Sequence, residues 1–101
     1  MNKLERALQA VYAAIDETNP MLRGTMRLDK SPDTVLLGEG SRLDSLGLVN
    51  LIVAVETRVE QDFHETIGLA DALGTLAPGG GPFRTVGALA EHVAGLLKDA
   101  P

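Results

Sequence analysis

A chain of 101 residues, 45% of them hydrophobic, can fold as one small domain around a modest core and is too apolar for wholesale disorder. Its 14 acids against 9 bases leave a net charge of −5, which argues against nucleic-acid binding and against adsorption to anionic membranes. The absence of cysteine excludes disulfides, thiolate metal sites and a cysteine nucleophile.

The first segment, residues 3–17, reads as a helix. Leu4, Leu8, Val11, Tyr12 and Ile15 recur at helical spacing and predict its buried stripe. Asn2 followed by Glu5 resembles a capping box, and Asn19-Pro20 stops the helix. Residues 20–43 read as a long loop, interrupted by Gly24, Pro32, Gly38 and Gly40. Within it, Ser31-Pro32-Asp33 predicts a single helical turn, and Val35, Leu36 and Leu37 are expected to pin the loop to the core.

A second helix is expected from Asp44 to about Asp62, with Asp44 as its N-cap. The β-branched run Val49–Val55 would suit a buried strand, but the unbroken pattern is too long for one. A short third helix is expected over 66–74, carrying Ile67, Leu69, Ala70 and Leu73. Ala77 to Pro82 is a Gly/Pro-rich connection. Thr85 caps a last helix running to about Lys98, with Val86, Leu89, Ala90, Val93, Leu96 and Leu97 on its apolar face. The fold class is therefore all-α: residues 1–101 form one domain, a small bundle of three main helices plus one short helix, with a long loop between helices one and two. Only Tyr12, Phe63 and Phe83 are aromatic, so the core is expected to be aliphatic. No apolar run approaches the roughly 20 residues needed to span a bilayer, and the N-terminus lacks a signal-peptide core. A cytoplasmic monomer without membrane insertion is expected.

The second helix carries two apolar stripes. At about 100° per residue, Leu48, Leu51, Ile52, Val55 and Val59 share one arc, while Leu46, Val49 and Val53 fall on the opposite side, with Asn50, Glu56, Thr57 and Glu60 around them. Either the helix is central and buried all round, or the second stripe is an exposed docking patch.

Ser45, at the head of this helix, is in a position where serine commonly begins a helix. It has no G-x-S-x-G context, and neither His64 nor His92 sits in a hydrolase or zinc motif, so an enzyme is not expected. The Gly79-Gly80-Gly81 run lacks the G-K-[ST] ending of a phosphate loop. A phosphate esterified to a serine at a helix N-terminus is well placed, because the dipole's positive end lies there.

Leu43-Asp44-Ser45-Leu46 resembles the Asp-Ser-Leu motif of acyl carrier proteins. The length, acidity, aliphatic composition and order of elements are similar to that family over nearly the whole chain, and Phe83-Arg84-Thr85-Val86 resembles the start of its last helix. The resemblance implies that Ser45 is esterified by 4′-phosphopantetheine, with Asp44 beside it. A phosphopantetheinyl transferase would install this arm from coenzyme A, and its thiol would carry acyl groups as thioesters. It also implies docking through Leu46, Val49, Asn50, Val53 and Glu56. The partners implied are an acyl- or aminoacyl-loading ligase and downstream synthase or transferase enzymes of fatty-acid, polyketide or specialised metabolism. The chain departs from the family where acidic or polar residues are common, at Gly47, Asn50, Thr57 and Arg58, and its Gly74–Pro82 link is longer. These departures imply a less acidic docking face and a dedicated carrier rather than the housekeeping fatty-acid one. The alternatives are an aminoacyl or aryl carrier loaded by an adenylating enzyme, and an unmodified helical interaction module.

Overall fold

The computed structural model describes residues 2–21, 28–37, 45–69 and 81–97. Within them the chain is a small all-α fold of three helices: α1, Lys3–Thr18; α2, Ser45–Phe63; and α3, Val86–Leu96. Short 3-10 turns cover Asn19–Met21 and Gly81–Phe83. No strand occurs among the described residues.

Local chemistry sets the helix ends. The Asn2 side chain accepts the Glu5 backbone N–H at 2.8 Å, and the Thr85 hydroxyl accepts that of Ala88 at 3.1 Å. Each satisfies a first-turn donor that has no partner within the helix. At the far end of α2, His64 takes a left-handed conformation, φ 56°, and its N–H donates to the Glu60 carbonyl at 3.0 Å. This is the αL stop that glycine usually supplies, here in a side-chain-bearing residue. Of the short helix expected over 66–74, residues 66–68 are not helical, and 70–74 lie outside the described residues. Ile67 and Leu69 are nevertheless buried in the core.

Helix α1 packs against both α2 and α3, whose backbones hardly approach each other. Its buried face is Ala7, Ala10, Val11, Ala14, Ile15 and Thr18. The expected stripe is thus turned toward the alanines: Leu8 and Tyr12 are half-buried, and Leu4 is 43% exposed. Leucine at the end of a helix can lie past the core, whereas a helix wedged between two others needs small residues for close approach. Thr18 is fully buried, and its hydroxyl donates to the Ala14 carbonyl at 2.8 Å, so no polar group is stranded. Near its start α1 also places the Arg6 guanidinium over the Phe63 ring, 4.5 Å from its centroid. Lys3 donates to the carbonyl of Leu97, the α3 C-cap, at 3.3 Å.

The segment between α1 and α2 is anchored by backbone pairing. Val35 forms an antiparallel bridge with Thr85. Leu36 N–H donates to the Arg84 carbonyl at 2.7 Å, Val86 N–H to Thr34 at 2.9 Å, and Gly87 N–H to Pro32 at 2.8 Å. The carbonyls of this segment therefore satisfy the opening donors of α3. The approach favours glycine: a Cβ at position 87 would stand 3.0 Å from the Pro32 carbonyl oxygen, a tight contact that one of the two segments would have to relieve. Ser31–Thr34 closes as a β-turn with Pro32 in its second position, rather than as a helical turn. Of the expected anchors, Leu36 is fully buried and Leu37 packs half-buried against the core, whereas Val35 is held by its backbone bridge.

Asn19 does more than end α1. Its amide donates to the Leu28 carbonyl at 3.0 Å and accepts the Leu28 N–H at 2.8 Å. The pair copies a strand pairing and seats Leu28 in the core. Asn19→Ala is expected to destabilise the protein by about 1–3 kcal/mol, since both Leu28 groups lose their partner in a part-buried site. Urea unfolding of the variant measures this, and an unchanged midpoint would refute the clamp.

Candidate functional site

Helix α2 positions every candidate functional residue that the structure describes. Its inner face is Leu48, Leu51, Ile52, Val55 and Val59, all buried. Its outer face carries Leu46, Val49 and Val53, which are 68%, 43% and 50% exposed. Of the two arrangements the sequence permits, burial on all sides is thereby ruled out. Leu46, Val49 and Val53 follow one another at i, i+3 and i+7, so they share one exposed stripe beside the start of the helix.

Ser45 is the first residue of α2, one residue before the head of that stripe. The positive end of the α2 dipole lies in this turn. Asp44, the expected cap, lies outside the described residues. Gly47, on the next turn of the helix surface, is buried.

Asn50 and Thr57 are exposed on one edge of the stripe, Glu56 is half-buried on the other, and exposed Glu60 falls between Val49 and Val53. Arg58 belongs to neither edge. Its guanidinium is held by Asp62 at 3.2 Å and Glu17 at 3.8 Å, and so is turned toward α1. The i,i+4 partner was visible in the sequence, but the link to Glu17 depends on helix packing.

His64 follows the end of the helix that Ser45 opens, 19 residues away, which at 1.5 Å per residue is about 28 Å. His92 packs its ring edge-on to Phe83 with centroids 6.0 Å apart. Among the described residues no group of three His, Asp or Glu side chains could hold a metal ion, and no helix is long and apolar enough to cross a membrane. An open depression of about 250 Å³ is lined by Arg6, Gln9, Asp62 and Phe63. Its charged groups are already engaged: Arg6 with the Phe63 ring and Asp62 with Arg58.

Comparison with protein-family models, curated proteins and solved structures finds no match.

Proposed function

We propose that this chain is a carrier protein that holds acyl groups as thioesters on a 4′-phosphopantetheine arm attached to Ser45. What supports the reading most is one juxtaposition: a serine opens the longest helix, and an exposed apolar stripe runs along that helix from the next residue. An enzyme that modifies Ser45, or draws cargo from it, needs a surface to grip nearby, and exposed apolar patches with polar borders are such surfaces. When bound, the arm supplies a terminal thiol, the reactive group that a chain without cysteine lacks. Leu46, Val49 and Val53 then hold the partner, Asn50 and Glu56 border the contact, and Asp44 adjoins the attachment point. The protein itself makes and breaks no bond in the cargo. Its partners are a phosphopantetheinyl transferase, a loading ligase and downstream acyl-transferring enzymes, and its place of work is the cytoplasm.

Incubation with coenzyme A and a broad-specificity phosphopantetheinyl transferase tests this. The intact mass is expected to rise by one phosphopantetheine group in the wild type and to stay unchanged in Ser45→Ala. An unchanged wild-type mass refutes the carrier reading. An unmodified interaction module would be the better description if a partner engaged the stripe equally well after Ser45→Ala.

A further inference from the structure

The geometry points to a carboxylate-binding site at the end of α2 far from Ser45, with the Arg6 guanidinium as its anchor and the Gln9 amide as a second donor. The site is independent of the carrier reading. Phe63, in its wall, stands 18 residues from Ser45 on α2, about 27 Å at 1.5 Å per residue. The depression there, of about 250 Å³, is lined by Arg6, Gln9, Asp62 and Phe63. It lies where the opening turns of α1 meet the last turn of α2.

Arg6 is half-buried and engaged from one side only. Its guanidinium carbon lies 4.5 Å from the centroid of the Phe63 ring. A ring offers no lone pair, so this contact meets part of the charge and leaves a fork of coplanar N–H donors without an acceptor. Among the described residues the Arg6 side chain makes no hydrogen bond or ion pair. The acid in the same depression does not serve it, because Asp62 is taken by Arg58 at 3.2 Å. Phe63 is itself packed against the core, so the ring beneath Arg6 is a fixed support. Gln9 follows Arg6 at i+3, on the same face of α1, and its exposed amide has no hydrogen-bond partner among the described residues. A supported guanidinium has less side-chain freedom to lose on binding than a solvated one. The positive end of the α1 dipole, one turn away, adds to the attraction for an anion.

A planar carboxylate matches the guanidinium fork with two parallel N–H···O bonds. A phosphate monoester also matches it but brings up to about two charges toward Asp62, where a carboxylate brings one. The part of Phe63 that lines the depression suits the methylene groups behind the carboxylate. The ligand is therefore a short-chain carboxylate, either free or carried as an acidic side chain of a polypeptide.

Amide chemical shifts of the isotope-labelled full chain test this. The probes are sodium propionate, glutamate blocked at both backbone ends, and sodium phosphate, against sodium chloride at matched ionic strength. Saturable shifts at Arg6, Gln9 and Phe63 are expected with propionate and with blocked glutamate. Tighter binding of the blocked glutamate assigns the site to a polypeptide, and tighter binding of propionate assigns it to a free carboxylate; both support the inference. Arg6→Gln is expected to weaken binding about tenfold or more. Arg6→Lys keeps the charge but loses the fork, and is expected to weaken it by about threefold to tenfold. Gln9→Ala, which leaves the Arg6–Phe63 contact in place, is expected to cost about threefold and keeps the test readable should Arg6→Gln fail to fold. Ser45→Ala is expected to bind as the wild type does. Shifts that rise without saturating, chloride shifts of the same size, or undiminished binding by Arg6→Gln overturn the inference. Phosphate binding tighter than propionate overturns the choice of carboxylate. None of these outcomes alters the mass test of the carrier reading, and failure of that test leaves this site standing.

Discussion

Aspartate at position 55 is expected to unfold the chain, whereas aspartate at position 53 is expected to leave it folded. Val55 is 0% exposed and Val53 is 50% exposed, two residues apart on one helix. Val55→Asp buries an unpaired carboxylate among Leu51, Ile52 and Val59, a loss of about 3–5 kcal/mol. That is a large share of the roughly 5–15 kcal/mol by which a domain is stable. Val53→Asp exchanges one exposed side chain for another of similar helix propensity, so its effect on stability is within about 1 kcal/mol. Its effect on docking is the opposite. The charge interrupts the middle of the exposed stripe, and phosphopantetheine loading is expected to slow on the order of tenfold or more. Circular dichroism through a urea titration reads the first property and intact mass the second. A folded Val55→Asp, or an unfolded Val53→Asp, would reverse the assignment of the two faces.

Phe83→Ala is the other substitution with a large expected cost, about 3–5 kcal/mol. Phe83 is the only aromatic side chain that is fully buried. It ends the 3-10 turn Gly81–Phe83 and lies against His92 of α3. The next residue, Arg84, offers the carbonyl that receives Leu36 and Leu37 N–H. A cavity at Phe83 therefore loosens the bridge that holds the 28–37 segment to α3, in addition to losing the ring's own burial. Phe83→Leu, which keeps most of the volume, is expected to cost less than about 1.5 kcal/mol. Denaturant midpoints for the pair test the account, and an alanine variant within 1 kcal/mol of the leucine variant would contradict it.

Helix α2 was the most legible element because its apolar residues are large and aliphatic, and their spacing sorts them into two stripes, although it left open whether the second was buried. The membership of the stripe Leu46, Val49 and Val53 and of the buried stripe through Val55 follows from that spacing, while the exposure of the first is seen only in the structure. Helix α1 was read less well. Alanine is compatible with burial and with exposure, so Ala7, Ala10 and Ala14 carry little pattern, although they line its most buried face. Leu4 carries a strong apolar signal yet lies past the end of the core. The loop's attachment left the weakest trace. Backbone hydrogen bonds from 32–36 to 84–87 have no sequence period, and the Asn19 clamp on Leu28 is indistinguishable in sequence from a helix-stopping Asn-Pro pair. Gly87 likewise reads as a helix residue of low propensity until the Pro32 carbonyl is seen beside it. At the candidate site, the position of Ser45 at the head of α2 was anticipated, the exposure of the stripe was one of two readings left open, and Asp44 lies outside the described residues.

The central claim is that Ser45 bears the arm, and fragment mass analysis after loading addresses it most directly. Trypsin releases residues 43–58 as one peptide in which Ser45 is the only serine, and the chain's other serines, Ser31 and Ser41, fall in the peptide 31–42. The account predicts that this peptide alone gains one phosphopantetheine group and that fragmentation places it on Ser45. Modification of a peptide holding Ser31 or Ser41, or of none, would contradict it.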